Sequence, residues 1–454
     1  MHKSILIWGF ASSGKASLNF LFNKRNKFFI FDKNKEVQEE ITQKYSNVSN
    51  VFVLNAINKD VIDGMDLIVI SPSVSIFDKN ISYAKALGKE VVSELELGAR
   101  EFSGKLVAIT GTNGKTTTTQ LVGNVLRVAG KRFELVGNIG VPICSKVKHS
   151  RGKIFVCETS SFQLEAVKTF HPHIACLLNI SADHLDRHKT MENYADMKYR
   201  IFAKQHRRDF AVVQFGLSTG QINSKIFSFG FERLQNGCYV SQNKIWFDKN
   251  GKAEFVCNVS DVSLVGKHNL ENVMACIVIC KLLKIKNKHI VAGIKTFHPD
   301  NHRLQLAKTC GNVRFFDDSK ATNIDAVRVA IDAMDKERNI VLLLGGSDKG
   351  LSCRSILEHL PKNVVQVIAF GALAEAISSE ARELGLNNIS SHGSLKDAVF
   401  EACGGDNCDV LLSPGSASYD EFANYAERGN KFLEYVEEYY SQLTNNNDLK
   451  NNNH

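Results

Sequence analysis

The chain has 454 residues, 44% hydrophobic and 23% charged, with 31 Gly, 6 Pro, 11 Cys and a formal net charge of +8. That length allows two to four domains with real cores, and the balance excludes disordered, collagen-like and disulfide-scaffold classes. No apolar run reaches the roughly 18 residues of a membrane helix, and the longest, Val273 to Leu283, is cut by Lys281.

The opening MHKSILIWGF runs into a glycine loop without a small-residue cleavage site, so it reads as a first strand and the expectation is a cytoplasmic chain with no membrane partner. The cysteines form no CxxC pair, and the spacings of Cys276/Cys280 and Cys403/Cys408 match no common zinc module, which points to reduced, buried thiols. Lys204–Arg208 and Lys286–His289 are basic but lack interleaved aromatics. They read as solvated faces, and no nucleic acid is expected.

In chain order, SILIWGF, FFIFD, VFVLN and LIVISP alternate with helical stretches, the rhythm of a Rossmann-like parallel-sheet domain over 1–97. KLVAIT and GTNGKT then lead into a helix from Thr117 to Ala129. IFVCE, IACLLNI, IFSFGF, KIWFD and an apolar helix after HNLENV follow, giving a P-loop-type mononucleotide-binding domain over 98–299. RFFDDS, IVLLLGG, VVQVIAF and DVLLSPGS predict a second Rossmann-like α/β domain over 300–444. The Asn-rich segment 445–454 has nothing to bury and is expected to be a disordered tail. The fold class is therefore α/β in three domains.

Two glycine loops stand out. Gly9-Phe-Ala-Ser-Ser-Gly14-Lys15-Ala16 fits GxxxxGK but has Ala16 where a hydroxyl should reach Mg²⁺. Gly111-Thr112-Asn113-Gly114-Lys115-Thr116 lacks the first glycine, with Ile109 in its place, yet keeps the lysine and the hydroxyl between a strand and a helix. The second loop, with Thr117 behind it, is expected to hold the hydrolysable nucleotide, and the first a phosphate without catalytic metal. Asp32 closes the next strand, either as an acid reading a ribose or as a turn residue. Glu158 ends IFVC, either as a carboxylate facing a metal or as an ordinary strand terminus. ISADHLDRH (residues 180–188) follows another strand, as a ligand edge or as a helix cap with surface charges.

GTNGKT, GNIG (137–140), ETSSFQLE (158–165), NISADHLDRH, KHNLEN (267–272), His302-Arg303, DDSKATN (317–323), GGSDKG and LSPGSASYDEF together resemble the Mur ligase family, in order, from about residue 5 to residue 432. Members are cytoplasmic ATP-dependent amino-acid ligases of peptidoglycan synthesis, related to folylpolyglutamate synthase. DDSKATN and SPGSASYDEF resemble members that add D-glutamate to UDP-N-acetylmuramoyl-L-alanine, and the DNPR-like motif of diaminopimelate- or lysine-adding members is absent.

The resemblance implies a phosphorylated alanyl carboxylate attacked by the D-glutamate amine. It makes Lys115, Glu158, His184 and Lys198 catalytic, with Thr116 and Glu158 on one Mg²⁺ and His184 and a carbamylated Lys198 on a second. It assigns adenine and ribose to Asn269, Asn272, Arg303, Asp318 and Lys320. It assigns UDP to Gly14, Asp32 and Ser71, the sugar-peptide to Asn138 and His184, and D-glutamate to Thr322, Lys349, Ser418 and Tyr425. The enzyme would be a monomer. Thr322 and Ser418 have a simpler reading, as caps of the helices that follow. Ser73 and Tyr425 depart from the family pattern, where Gly and Phe occur. Another amino-acid-adding Mur ligase, or a folylpolyglutamate-synthase-like ligase, is the near alternative. A P-loop switch or motor ATPase would need an output element and, for a GTPase, an NKxD-like base reader, and neither is evident. A nicotinamide dehydrogenase built on the first loop leaves GTNGKT unexplained.

Overall fold

The computed structural model describes residues 2–451 except 221, 263, 265, 299–300 and 348–351. It forms two compact units, Met1–Leu264 with Asn269–Phe297, and Val265–His268 with His298–His454. The first unit contains two sheets and the second contains one.

The first sheet has the order β3-β2-β1-β4-β5, all parallel, from β1 (Ser4–Trp8), β2 (Lys27–Phe31), β3 (Val51–Val53), β4 (Leu67–Ile70) and β5 (Glu90–Ser93). Strand addition reverses between β1 and β4, so the loops after these two strands open a crevice at their carboxyl ends. Ile5, Ile7, Val69 and Val92 enter one core and Leu6, Ile68 and Ile70 the other, as expected for a parallel sheet covered on both faces.

The second sheet has the order β14-β13-β12-β11-β10-β9-β6-β8-β7. Its parallel part comprises β6 (Lys105–Thr110), β7 (Phe133–Gly137), β8 (Ile154–Glu158), β9 (Ile174–Leu177), β10 (Phe210–Gln214), β11 (Lys225–Gly230) and β12 (Asn236–Ser241). Two antiparallel strands, β13 (Lys244–Lys249) and β14 (Lys252–Asn258), extend it. The helices Lys115–Val128 and Lys267–Leu282 pack on one face. The second of these buries every residue from Asn272 to Cys280 and so behaves as a core helix. The expected boundary at 97 falls inside the helix Glu94–Glu101, where Leu95 enters the core beneath the second sheet and Leu97 that of the first.

The third sheet has the order β15-β16-β20-β17-β18-β19, from β15 (Gln305–Cys310), β16 (Val313–Asp317), β17 (Asn339–Gly345), β18 (Val364–Phe370), β19 (Ile389–His392) and β20 (Cys408–Gly415). All pairs are parallel except β15 with β16. The final helix runs from Tyr425 to Asn451. All eleven cysteines are free thiols and ten are buried. Among the described residues no helix is long and apolar enough to cross a membrane.

Candidate active site

Strand β6 ends at Thr110, and the helix Lys115–Val128 begins five residues later with Gly114 at its cap, at φ +81°. A Cβ at Gly114 would lie 2.1 Å from Asn272 Oδ1, so only glycine fits this turn. The first-turn N–H groups of a helix have no intrahelical partner, which makes a glycine-led helix start suited to an anion. Lys115 Nζ folds back over the loop, donating to Gly111 O at 2.9 Å and Thr112 O at 2.6 Å.

The loop is held by the segment after β9. Asn179 accepts from Thr112 N–H through its backbone and from Asn113 N–H through Oδ1 (2.8 Å), and returns a bond from Nδ2 to Asn113 O. Ser181 N–H donates to Thr112 Oγ1 at 3.0 Å, and the Tyr194 hydroxyl lies 3.3 Å from the same oxygen. On the other side Asn272 accepts from Thr118 Oγ1 and donates to Asn269 Oδ1. Asn272 thus packs against Gly114 and holds Asn269 beside it. Asn179 and Tyr194 were not singled out from the sequence.

Glu158 ends β8, the strand beside β6, in register with Ile109. Its side chain is 1% exposed. Oε1 accepts from Asn138 Nδ2 at 2.7 Å, whereas Oε2 is buried with no hydrogen-bond partner. An unpaired buried carboxylate oxygen is costly, and a hard divalent cation relieves it. Thr116, buried in the first turn of the helix after β6, offers a hydroxyl, so the two donors are both oxygen, which fits Mg²⁺.

Lys198, in the last turn of the helix Met191–Tyr199, is 1% exposed and donates from Nζ to Gly111 O at 2.7 Å. Its ammonium lies 4.4 Å from the Tyr194 ring centroid. Burial first, and then the charge of Lys115, push its pKa well below the ordinary lysine value, against a smaller upward pull from Asp183. His184 has φ +54° and caps the short helix Leu185–His188, yet its largely exposed ring stands 3.6 Å from Asp183 Oδ2 and against Phe162. Arg187, also unremarked in the sequence, pairs through Nε and Nη2 with both oxygens of Glu165 and donates to Pro72 O at 2.6 Å and Val74 O at 3.0 Å. It ties the loop after β4 to the second sheet's machinery.

At the crevice of the first sheet the structure gathers Gly14, Asp32 and Ser71. A Cβ on Gly14 would lie 2.1 Å from Gly9 O, and Ser71 Oγ donates to that same carbonyl at 2.8 Å. Both Asp32 oxygens accept backbone N–H groups, from Phe10 at 2.7 Å and Asn34 at 3.0 Å, so the turn role is filled. Lys15 Nζ points away to Glu40 at 2.9 Å on an exposed surface.

In the second unit the loops after β16, β17 and β20 lie side by side at the carboxyl edge. Burial raises the Asp318 carboxyl to about 7, although Ser413 Oγ, Leu304 N–H and the charge of Arg303 all favour its anion. Lys320 Nζ lies 4.8 Å from the Tyr425 ring centroid. Arg428, fully buried, donates to Ser319 Oγ and to the carbonyls of Ser319, Ser416 and Ala417, binding two of these loops together. Thr322 is exposed and Ser418 buried, and neither caps a helix. Asn323 caps Ile324–Ala333, and Asn424 accepts from the first N–H groups of the final helix. Lys349 lies outside the described residues.

Three family models match the chain in series: Mur ligase MurD-like N-terminal domain over residues 3–93, Mur ligase middle domain over 109–280, and Mur ligase glutamate ligase domain over 302–416. A protein of Caldicellulosiruptor bescii named UDP-N-acetylmuramoylalanine–D-glutamate ligase is 37% identical over 452 residues, covering 96% of this chain and 98% of that one. The chain belongs to the Mur ligase family. A second relative of the same name, from Thermoanaerobacter sp., is 36% identical with the same coverage. The Mur ligase fold is shared with a solved MurF ligase from Thermotoga maritima in complex with ADP. That structure has a TM-score of 0.60 at 16% identity, covering 97% of this chain and 96% of that one.

Proposed function

We propose that this Mur ligase joins D-glutamate to the alanyl carboxylate of UDP-N-acetylmuramoyl-L-alanine at the expense of ATP, as a cytoplasmic monomer in peptidoglycan precursor synthesis. The observation that carries the chemistry is the orphaned Glu158 Oε2 beside a lysine-bearing phosphate loop. The curated names of relatives matched along nearly their whole length support the choice of amino acid.

A free carboxylate is a poor electrophile. Its oxygen attacks the γ-phosphorus of ATP, ADP leaves, and the acyl phosphate now carries a good leaving group. The amine of D-glutamate adds to the acyl carbon, the tetrahedral adduct expels phosphate, and the amide remains. Lys115 exchanges the loop carbonyls for the β- and γ-phosphate oxygens, and the N–H groups of Gly114 to Thr117 cradle them. Thr116 and Glu158 would hold one Mg²⁺ and His184 and Lys198 a second. When bound, these ions neutralise charge accumulating on the transferring phosphoryl group.

Lys198 serves as a carbamate. A neutral amine adds to CO₂, an N–C bond forms, a proton leaves to solvent, and an anionic oxygen ligand results. Burial and the adjacent Lys115 charge favour the neutral amine that this step requires. Asn269, Asn272, Arg303, Asp318 and Lys320 bind adenine and ribose, and Gly14, Asp32 and Ser71 bind UDP. Asn138 orients the sugar-peptide as well as Glu158. Thr322, Lys349, Ser418 and Tyr425 receive D-glutamate, and the failure of the capping account for Thr322 and Ser418 favours this role.

A panel of amino acids offered with UDP-N-acetylmuramoyl-L-alanine and ATP tests the substrate. D-glutamate should be the acceptor that drives phosphate release, and preference for L-lysine or diaminopimelate overturns the assignment.

A further inference from the structure

The amino ends of β9 and β10 lie at the edge of the second sheet opposite the phosphate loop, and there three histidines surround one aspartate. His171 and His173 belong to the His-Pro-His step into β9, and His206 and Asp209 to the turn into β10. The register Phe210↔Ile174 sets the two turns side by side. The Asp209 side chain is 4% exposed. Its Oδ2 lies 2.7 Å from His171 Nε2 and 3.0 Å from His206 Nδ1, and its Oδ1 lies 3.5 Å from His173 Nδ1. One donor atom from each of His171, His206 and Asp209 falls within 4.8 Å of the others.

The surroundings fix this geometry. Gln205 Nε2 donates to Pro172 O and Phe210 O, and Ser224 Oγ holds Gln205 Oε1. Phe210 N–H bonds His173 O, and His206 N–H donates to Asp209 Oδ2 at 2.9 Å. The histidine rings are partly exposed, which leaves a path for entry.

We propose that His171, His206 and Asp209, with His173 as a fourth donor within reach, form a site for a divalent transition-metal ion of the zinc class. Imidazole nitrogen with one carboxylate is a donor set that takes Zn²⁺, Co²⁺ or Ni²⁺ in preference to Mg²⁺, so this site and the all-oxygen site at Glu158 select different ions. Because the ligands come from two turns, the ion cross-links the ends of neighbouring strands. Its effect is on the stability of the sheet. The phosphoryl chemistry lies at the other edge.

Zinc titrated by calorimetry into metal-stripped protein, with Mg²⁺ saturating, tests the site. A single equivalent should bind, and the melting temperature should rise with it. His171→Gln combined with His206→Gln alters only partly exposed side chains and retains groups able to bond Asp209. The pair should lower zinc affinity at least about 100-fold and abolish the thermal shift, while Mg²⁺-dependent turnover stays at the parent level. Cobalt bound in place of zinc should show d–d bands without a thiolate charge-transfer band, separating this site from the eleven cysteines. Absence of stoichiometric binding, equal affinity in the double variant, or a thiolate band overturns the proposal.

Discussion

Lys115 and Lys15 occupy equivalent positions in two glycine loops but have different neighbours. Lys115 Nζ rests on Gly111 O and Thr112 O, within a side-chain swing of any phosphate at the helix start, and Lys15 Nζ pairs with Glu40 in solvent. Lys115→Ala should therefore reduce turnover at least about 10³-fold, roughly 4 kcal/mol of transition-state stabilisation. Lys15→Ala should act mainly on affinity for the UDP substrate. Steady-state kinetics on both variants checks this division, and abolished ATP binding in Lys15→Ala with normal turnover in Lys115→Ala would reverse it. Lys198→Ala should be almost inactive, and a short carboxylic acid in the buffer should restore part of the rate by filling the vacated anion position. Mass spectrometry under mild conditions should find the added carboxyl on the parent lysine. An active, metal-loaded enzyme with unmodified Lys198 contradicts that role. Ser418→Ala should raise the KM for D-glutamate about tenfold with ATP and the nucleotide sugar little affected, since a hydrogen bond to a charged group contributes about 1.5–3 kcal/mol. Equal losses for all three substrates would point to a loop distortion instead.

At the scale of elements, the helix Glu94–Glu101 links the two sheets of the first unit and starts with a buried carboxyl. Burial pushes Glu94 up to about 7, although Cys144 N–H at 2.7 Å supports its anion. Its folded pKa lies above the unfolded value of about 4.3, so the native state binds more protons between those pH values and stability falls as pH rises toward 7. Glu94→Gln keeps the acceptor for Cys144 N–H and removes the titration. The variant should be more stable than the parent at pH 8 by about 2 kcal/mol, an advantage that disappears near pH 4. Denaturant unfolding at the two pH values measures it, and a pH-independent difference contradicts the assignment. Elements were the most legible level of the sequence. Hydrophobic runs located β1, β6, β8, β9 and β17, because strands of a parallel sheet are buried on both faces.

For the whole molecule, what could be read depended on how far along the chain a site's parts are spread. GTNGKT is a local motif, so the loop, the Lys115 ammonium and the Gly114 turn were visible in six residues. Glu158 was visible as a strand end, but its unpaired oxygen depends on burial and could not be seen. Arg187 bonds Pro72 and Val74 across more than a hundred residues, and Arg428 reaches Ser319 across a similar distance. No periodicity reports such contacts. Asp32 was legible as a strand-end acid, and only the structure resolves that both its oxygens hold backbone. Conversely, 204–208 read as a solvated basic face and its basic side chains are exposed, but the contact of the His206 ring with His171, 35 residues earlier, could not be seen.

The central claim is that ATP is consumed to activate the alanyl carboxylate, and isotope transfer tests it most directly. UDP-N-acetylmuramoyl-L-alanine carrying ¹⁸O in its carboxylate is incubated with ATP and D-glutamate, and the released phosphate is analysed by mass spectrometry. Passage through an acyl phosphate predicts one ¹⁸O in each phosphate, with release that depends on D-glutamate. Unlabelled phosphate, released at the same rate without an acceptor, would mean that water is the nucleophile and would contradict the ligase account.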